Sequence, residues 1–155
     1  MDVRIGGKIV GGKVTVPPNK SAAGLYFILA ALSDGETVIE TKTPPDEIFV
    51  IAACLKALGA SVTPVSGGYK VVPAAFGDAG DNSVELDVEN SAFALKTLLP
   101  VALAVNSTVN FCGGKNVSKK SLAPMLSSFK NAGYTAENLP LTLNGTLKPG
   151  EYRVG

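Results

Sequence analysis

The sequence predicts a mixed α/β (α+β) domain made from two copies of one βαβαββ unit. Three observations predict it. Residues 14 to about 72 read strand, helix, strand, helix, strand, strand, and residues 84 to about 154 read the same way again. The halves align: Lys20-Ser21 falls opposite Asn90-Ser91, Thr37-Val38 opposite Thr108-Val109, and Leu58-Gly59 opposite Ala132-Gly133, with an offset that drifts from 70 to 74 residues. Hydrophobic residues make up 46% of the 155 residues, enough for one real core. Each unit is too small to bury its apolar faces alone, so the two should share that core. The expected division of this single domain (1–155) is an N-terminal strand region (1–12), a first repeat (13–73), a connector (74–82) and a second repeat (83–155).

Taken in order, Val3 to Ile9 reads as a weak strand that Gly11-Gly12 ends. Val14-Thr15-Val16 alternates as a strand should, and Pro17-Pro18 stops it. Asn19 suits a helix N-cap, because its short side chain can accept from free backbone N–H groups. A helix follows from Lys20 to Leu32, small-residue-rich at first and apolar after Leu25. Asp34-Gly35 makes a turn before a strand at Thr37 to Glu40.

Pro44-Pro45-Asp46 opens the second helix, where an acidic side chain suits the helix dipole. Ile48, Ile51, Ala52, Leu55 and Leu58 recur at helical spacing, and Gly59 stands where a C-cap glycine belongs. Val62 to Val65 and Tyr69 to Val72 form a hairpin around Gly67-Gly68. A Gly/Ala/Asp-rich connector fills 73–82. The second unit then predicts a strand at 84–88, a helix at about 90–105 and a strand at 108–112. A Gly113-Gly114 turn, a helix at about 118–132, and strands near 134–137, 141–144 and 151–154 follow. The first helix of each unit is so apolar that it should be central, and the more amphipathic second helix should lie outside.

Composition excludes several roles. A net charge of +1 creates no field for nucleic acid or an acidic membrane. The absence of histidine removes the commonest general base and metal ligand, so chemistry falls to Lys, Asp, Glu, Ser or Tyr. Cys54 and Cys112 are 58 residues apart, without metal spacing, and sit in apolar stretches, as buried free thiols do. These residues offer no recognisable metal-binding pattern. Met1 to Lys13 is polar and glycine-rich, unlike a signal peptide, and no run approaches the ~18 apolar residues of a membrane span. A cytoplasmic location is therefore expected, and the glycosylation-type triplets at Asn106, Asn116 and Asn144 read as chance.

Candidate chemistry concentrates where helices begin, because free N–H groups and the dipole favour anions there. Asn19-Lys20-Ser21 brings an ammonium, a hydroxyl and backbone donors together, which suits a phosphate or carboxylate. A capped helix with a solvated lysine fits the same tripeptide. Lys115, Lys119 and Lys120 surround the start of the last helix without aromatic interleaving, which suits a small anion or plain solvation rather than nucleic acid. Lys96, inside an apolar helix, either snorkels to the surface or points into a cleft. Asp46 and Glu47 read first as helix-start residues, with catalysis the minor option.

The order of these pieces resembles a known family. Gly12-Lys13-Val14-Thr15-Val16-Pro17-Pro18-Asn19-Lys20-Ser21, then Leu29-Ala30-Ala31-Leu32, then Gly35-Glu36-Thr37-Val38, resembles the N-terminal region of the 5-enolpyruvylshikimate-3-phosphate synthases, enolpyruvyl transferases. The likeness continues through Asp46 to Leu58-Gly59-Ala60, Asn90-Ser91-Ala92, and Leu139-Pro140-Leu141 to Asn144-Gly145, nearly the whole chain. The related peptidoglycan enzyme that uses a UDP-sugar shares the repeat but fits less well around 139–145.

The resemblance implies an inside-out α/β fold of two domains, each of three βαβαββ units, with substrates bound between them. It implies transfer of enolpyruvyl from phosphoenolpyruvate to the 5-hydroxyl of shikimate 3-phosphate, with release of phosphate and no cofactor. Lys20 matches a lysine that contacts phosphoenolpyruvate, which makes it the catalytic candidate, and Ser21 a serine that helps bind shikimate 3-phosphate. Asn90, Ala92, Lys96 and Lys120 fall at the other substrate-binding positions. This chain departs from the pattern at several of them. Asn19 replaces a serine, Leu25 an arginine, Ala92 a glycine, and Lys96 and Lys120 two arginines, with Ser121 where a proline would follow. Leucine makes no salt bridge, lysine loses the planar fork, and an alanine methyl narrows the pocket. Altered or weakened substrate binding is the expectation. Two of the three units of one domain make half a cleft, so no turnover is expected from this chain alone. Two other readings stand beside this one: a non-catalytic relative that binds another small anion or a protein partner, and a module that associates with itself or a complementary chain.

Overall fold

In the computed structural model, two four-stranded sheets repeat one topology. The structure describes residues 11–15, 19–41, 44–74, 83–105, 108–119, 121–129 and 132–152. The expected Val3–Ile9 strand, most of the connector, and Lys120 lie outside them. The first sheet comprises β1 (Lys13–Thr15), β2 (Thr37–Glu40), β3 (Ser61–Val65) and β4 (Gly68–Val72), in the order β1-β2-β4-β3. The second comprises β5 (Val84–Asp87), β6 (Thr108–Cys112), β7 (Ala132–Tyr134) and β8 (Leu141–Gly145), in the order β5-β6-β8-β7. In each sheet the first pair is parallel and the other two are antiparallel. This is the α/β class that the repeat predicted.

Ladder register refines the internal alignment. Lys13 pairs with Val38 and Val84 with Val109, an offset of 71 in both strands. Ser61 pairs with Val72 and Ala132 with Gly145, which sets offsets of 71 and 73. Two extra residues therefore sit between β7 and β8. Ala132-Gly133 corresponds to Ser61-Val62, not to Leu58-Gly59 as expected, and Gly133 belongs to a strand. Gly59 does end its helix, at φ 98°, a conformation that suits a residue without Cβ.

The helices of the first unit are α1 (Lys20–Ala31) and α2 (Asp46–Ala57), close to expectation. Asn19 caps α1 by accepting from the N–H groups of Ser21 and Ala22 at 3.1 and 3.0 Å. All five stripe residues of the second helix, Ile48, Ile51, Ala52, Leu55 and Leu58, are buried. Both helices of the first unit are half-enclosed: α1 and α2 each bury six of their twelve residues and both meet α3 (Ala92–Val105), α2 also packing on β5, while Leu25, Tyr26 and Leu29 of α1 and Phe49 of α2 stay exposed. α1 closes on the sheet through Phe27, whose ring meets Tyr69 edge-on at 5.4 Å. α3 buries Leu95, Leu98, Leu99 and Leu103 despite Pro100 in its interior.

The single helix expected at 118–132 is instead two short ones, α4 (Lys115–Ser118) and α5 (Ala123–Leu126). Pro124 lacks the N–H that a continuous helix would need and is tolerated in a first turn. The Leu122 N–H donates to the Glu137 carbonyl, away from any helical ladder. After α5 the hydroxyls of Ser127 and Ser128 donate to the Pro124 carbonyl, competing with backbone bonding. The strand expected near 134–137 runs Ala132–Tyr134, and Glu151 and Tyr152 form no strand.

Cys54 joins the units. Its thiol, on α2, donates to the Asp87 carbonyl of β5 at 3.4 Å. Burial, then the nearby Asp87, pushes this thiol up to about 12, and burial also raises half-buried Cys112. Above pH 9 the unfolded thiols lose protons that the folded ones retain, so stability falls as pH rises. The slope per thiol is at most about 1.4 kcal/mol per pH unit. Cys54→Ala should flatten the decline between pH 9 and 11 in urea unfolding; an unchanged slope would show that Cys54 is not its source.

Candidate functional site

Three helices begin at one end of the molecule. Lys20 opens α1, Asp46 and Glu47 open α2, and Asn90 and Ser91 precede α3. Each start has a local cause: Asn19 caps α1, two acidic residues complement the dipole of α2, and the Ser91 hydroxyl accepts from the Ala94 N–H at 3.1 Å. The turn before α3 is tight. Asp87 Oδ1 accepts from the Glu89 N–H at 2.7 Å, and Glu89 holds φ 48°, unusual for a side-chain-bearing residue. Asp46, Glu47, Val50, Glu89, Asn90 and Ser91 line an open depression of about 240 Å³ between the α2 and α3 ends.

Lys20 does not stand free beside it. Its ammonium meets Glu47 Oε1 at 2.9 Å, across 27 residues of sequence. That hydrogen bond is the main cause holding the Glu47 carboxyl below its ordinary 4.5. Lys20 is well exposed, so this pair is worth under about 1 kcal/mol. Its sign is fixed: the contribution is present above the ordinary carboxylate range and vanishes as pH falls through the depressed Glu47 value. Glu47→Gln should lower stability by about 0.5 kcal/mol at pH 7 and by progressively less as pH falls below the ordinary carboxylate range; a deficit undiminished in acid would contradict the pairing.

The expected site residues divide. Lys20, Ser21, Asn90 and Ala92 all lie at this end, with Ser21 and Asn90 exposed and Ala92 half-buried as the first residue of α3. Asn90 also packs against the Gly114 backbone, which precedes Lys115 and α4, and the Gly114 N–H donates to the Glu89 carbonyl. Lys96 is elsewhere. It is exposed and lines an apolar groove with Pro100, Met125, Phe129 and Tyr152. Sequence reasoning missed Glu47 as the partner of Lys20. The only local signal was the acidic pair at the start of α2, and that signal has a sufficient explanation in the dipole.

Chemically, this end offers one ammonium, hydroxyl and amide groups and helix N-termini to an anion. Asp46, Glu47 and Glu89 oppose that anion. An incoming phosphate must draw Lys20 from Glu47, so affinity depends on further cations; Lys115 and Lys119 lie exposed on α4 and just after it.

Topology and site together define a class: paired βαβαββ repeats with a polar end where helices start. The family model for EPSP synthase (3-phosphoshikimate 1-carboxyvinyltransferase) matches residues 4–149, and the chain belongs to that family. The 3-phosphoshikimate 1-carboxyvinyltransferase of Clostridium perfringens (strain SM101 / Type A) is 32% identical over 152 residues, covering 92% of this chain and 34% of the relative. That of Methanocorpusculum labreanum is 26% identical over 155 residues, covering 94% and 35%. The solved EPSP synthase from Acinetobacter baumannii shares the fold, with a TM-score of 0.72 at 19% identity over 96% of this chain and 36% of that one. The chain thus spans about a third of the length of the curated relatives it matches. Among the described residues no helix is long and apolar enough to cross a membrane.

Proposed function

We propose that this chain forms part of the substrate site of a cytoplasmic enolpyruvyl transferase that joins phosphoenolpyruvate to shikimate 3-phosphate and releases phosphate, without a cofactor. The reading rests on one observation above others: Lys20 stands at the start of α1, in the family's own motif, and reaches the end of the molecule where Asn90 and Ser91 begin α3. Lys20 would stabilise charge that develops on phosphoenolpyruvate, since an ammonium beside a helix start favours an oxyanion. Ser21 and Asn90 would bind shikimate 3-phosphate oxygens. Lys120 would supply charge at the position of a family arginine, Lys96 holds another such position but lines a separate groove, and Ala92 would narrow the pocket. Turnover would need residues beyond this third of the family's length.

Backbone amide NMR of the full chain, titrated with shikimate 3-phosphate and then phosphoenolpyruvate, tests this. Shifts at Lys20, Ser21, Asn90 and Ser91, lost in Lys20→Ala, are the expected result. Dispersed peaks that ignore both compounds at millimolar levels would sink substrate recognition by this chain. The apolar, exposed Leu25 at a family arginine position supports a second reading, a relative that takes another small anion. Equal responses to inorganic phosphate and to both substrates would favour it.

A further inference from the structure

We propose that Gly114 is a positioning residue for the substrate site: the bare face of its Cα seats the side-chain amide of Asn90 and aims it at shikimate 3-phosphate. The inference rests on the transferase reading, which places Asn90 among the substrate contacts. It adds a residue that touches no substrate itself. Two turns are joined at this point. The Val88 N–H donates to the Cys112 carbonyl at 3.0 Å, and the Gly114 N–H donates to the Glu89 carbonyl. The turn after β6 is thereby laid along the turn before α3. A Cβ on Gly114 would overlap Asn90 Oδ1 and lie 2.7 Å from Cγ and 2.8 Å from Nδ2. The amide thus fills the space that a side chain at 114 would need. Gly114 itself has φ −72° and ψ 166°, ordinary extended values that alanine adopts without strain. The backbone does not call for glycine here; the close approach of Asn90 does.

Neither backbone gives way easily. The Gly114 carbonyl accepts from the N–H groups of Val117 and Ser118, each at 3.1 Å, and from the Ser118 hydroxyl at 3.0 Å. On the facing turn, the Ser91 N–H donates to the Val88 carbonyl at 2.9 Å, and Asp87 Oδ1 accepts from the Glu89 N–H at 2.7 Å. Only the side-chain torsions of Asn90 remain soft. Among the described residues no hydrogen bond claims the Asn90 amide, so its oxygen and its NH2 group are both open to a ligand. Packing on Gly114, rather than bonding, fixes where the amide points. Its rotational freedom is then spent before substrate arrives, which favours binding. A methyl group at 114 would turn the amide away and leave both backbones in place.

NMR of the full chain tests this at two levels. Without ligand, NOEs should link the Asn90 side-chain NH2 to the Gly114 Hα protons. With shikimate 3-phosphate, Gly114→Ala should weaken binding about three- to tenfold, the worth of one hydrogen bond, and Asn90→Ala should do the same. The double variant should bind no worse than Asn90→Ala alone, because alanine at 114 then has nothing to displace; a merely structural role for Gly114 would give losses that add. Should Gly114→Ala lower the urea midpoint, Asn90→Ala in that background should restore it by removing the overlap. Missing NOEs, binding by Gly114→Ala equal to that of the native chain, or additive losses in the double variant would overturn the inference and leave the transferase reading standing. A native chain that ignores shikimate 3-phosphate would overturn that reading and this inference with it.

Discussion

Gly68→Ala is expected to destabilise the chain by about 3 kcal/mol or more, lowering the thermal midpoint by roughly 6–12 °C. Gly68 opens β4 and pairs with Glu40 of β2. A Cβ there would overlap the Ile39 carbonyl oxygen and lie 2.9 Å from the Glu40 Cα. Both are backbone atoms of a neighbouring strand, so no side-chain rotation relieves the overlap. β4 also joins β2 to β3, and losing its register exposes Ile39, Val62 and Val71 together. Gly133→Ala in β7 is the control, because the nearest atom to its Cβ is 3.9 Å away. That change should be neutral or gain a few tenths of a kcal/mol by restricting the unfolded chain, roughly 0.4 at the low end of such effects. Equal losses at both sites in urea unfolding would refute the close-approach account.

The second large effect lies between the units. Gly24→Leu should cost about 3 kcal/mol and loosen the two halves from each other. A Cβ at this position would sit 2.5 Å from Phe93 Cε1 and 2.7 Å from Ile51 Cδ1. The Phe93 ring is half-buried and can shift, so Gly24→Ala should cost only about 1–2 kcal/mol. Leucine needs far more room than a ring shift yields, and Ile51 is fully buried. Because α1, α2 and α3 meet here, the substitution should also separate Lys20 from Asn90 and Ser91. Denaturant unfolding should turn biphasic as the shared core divides; a single sharp transition of unchanged midpoint would contradict this role for Gly24.

Helix starts and turns were legible because their causes are local. Asn19 caps α1 through groups two and three residues away, and Pro45 with two acidic residues opens α2. The error at 118–132 was also local in origin. Apolar spacing outweighed Pro124, which in fact restarts the helix, and the serine back-bonds then end it. The site was legible only in part. The family motif drew attention to Lys20, Ser21, Asn90 and Ala92, which do share one end of the molecule. It also grouped Lys96 with them, and Lys96 faces a different surface.

The sequence by itself determined the repeat, the strand and helix order of each unit, and the buried stripe of α2. Those follow from side-chain period, proline and glycine geometry and capping, which act over a few residues. Only the tertiary structure decided that α1 and α2 are each half-enclosed, that Glu47 holds Lys20, and that an apolar flank of α1 stays open. Each depends on how helices distant in the sequence pack together. Burial and charge pairing between residues 27 or more apart are properties of that packing, and no local pattern encodes them.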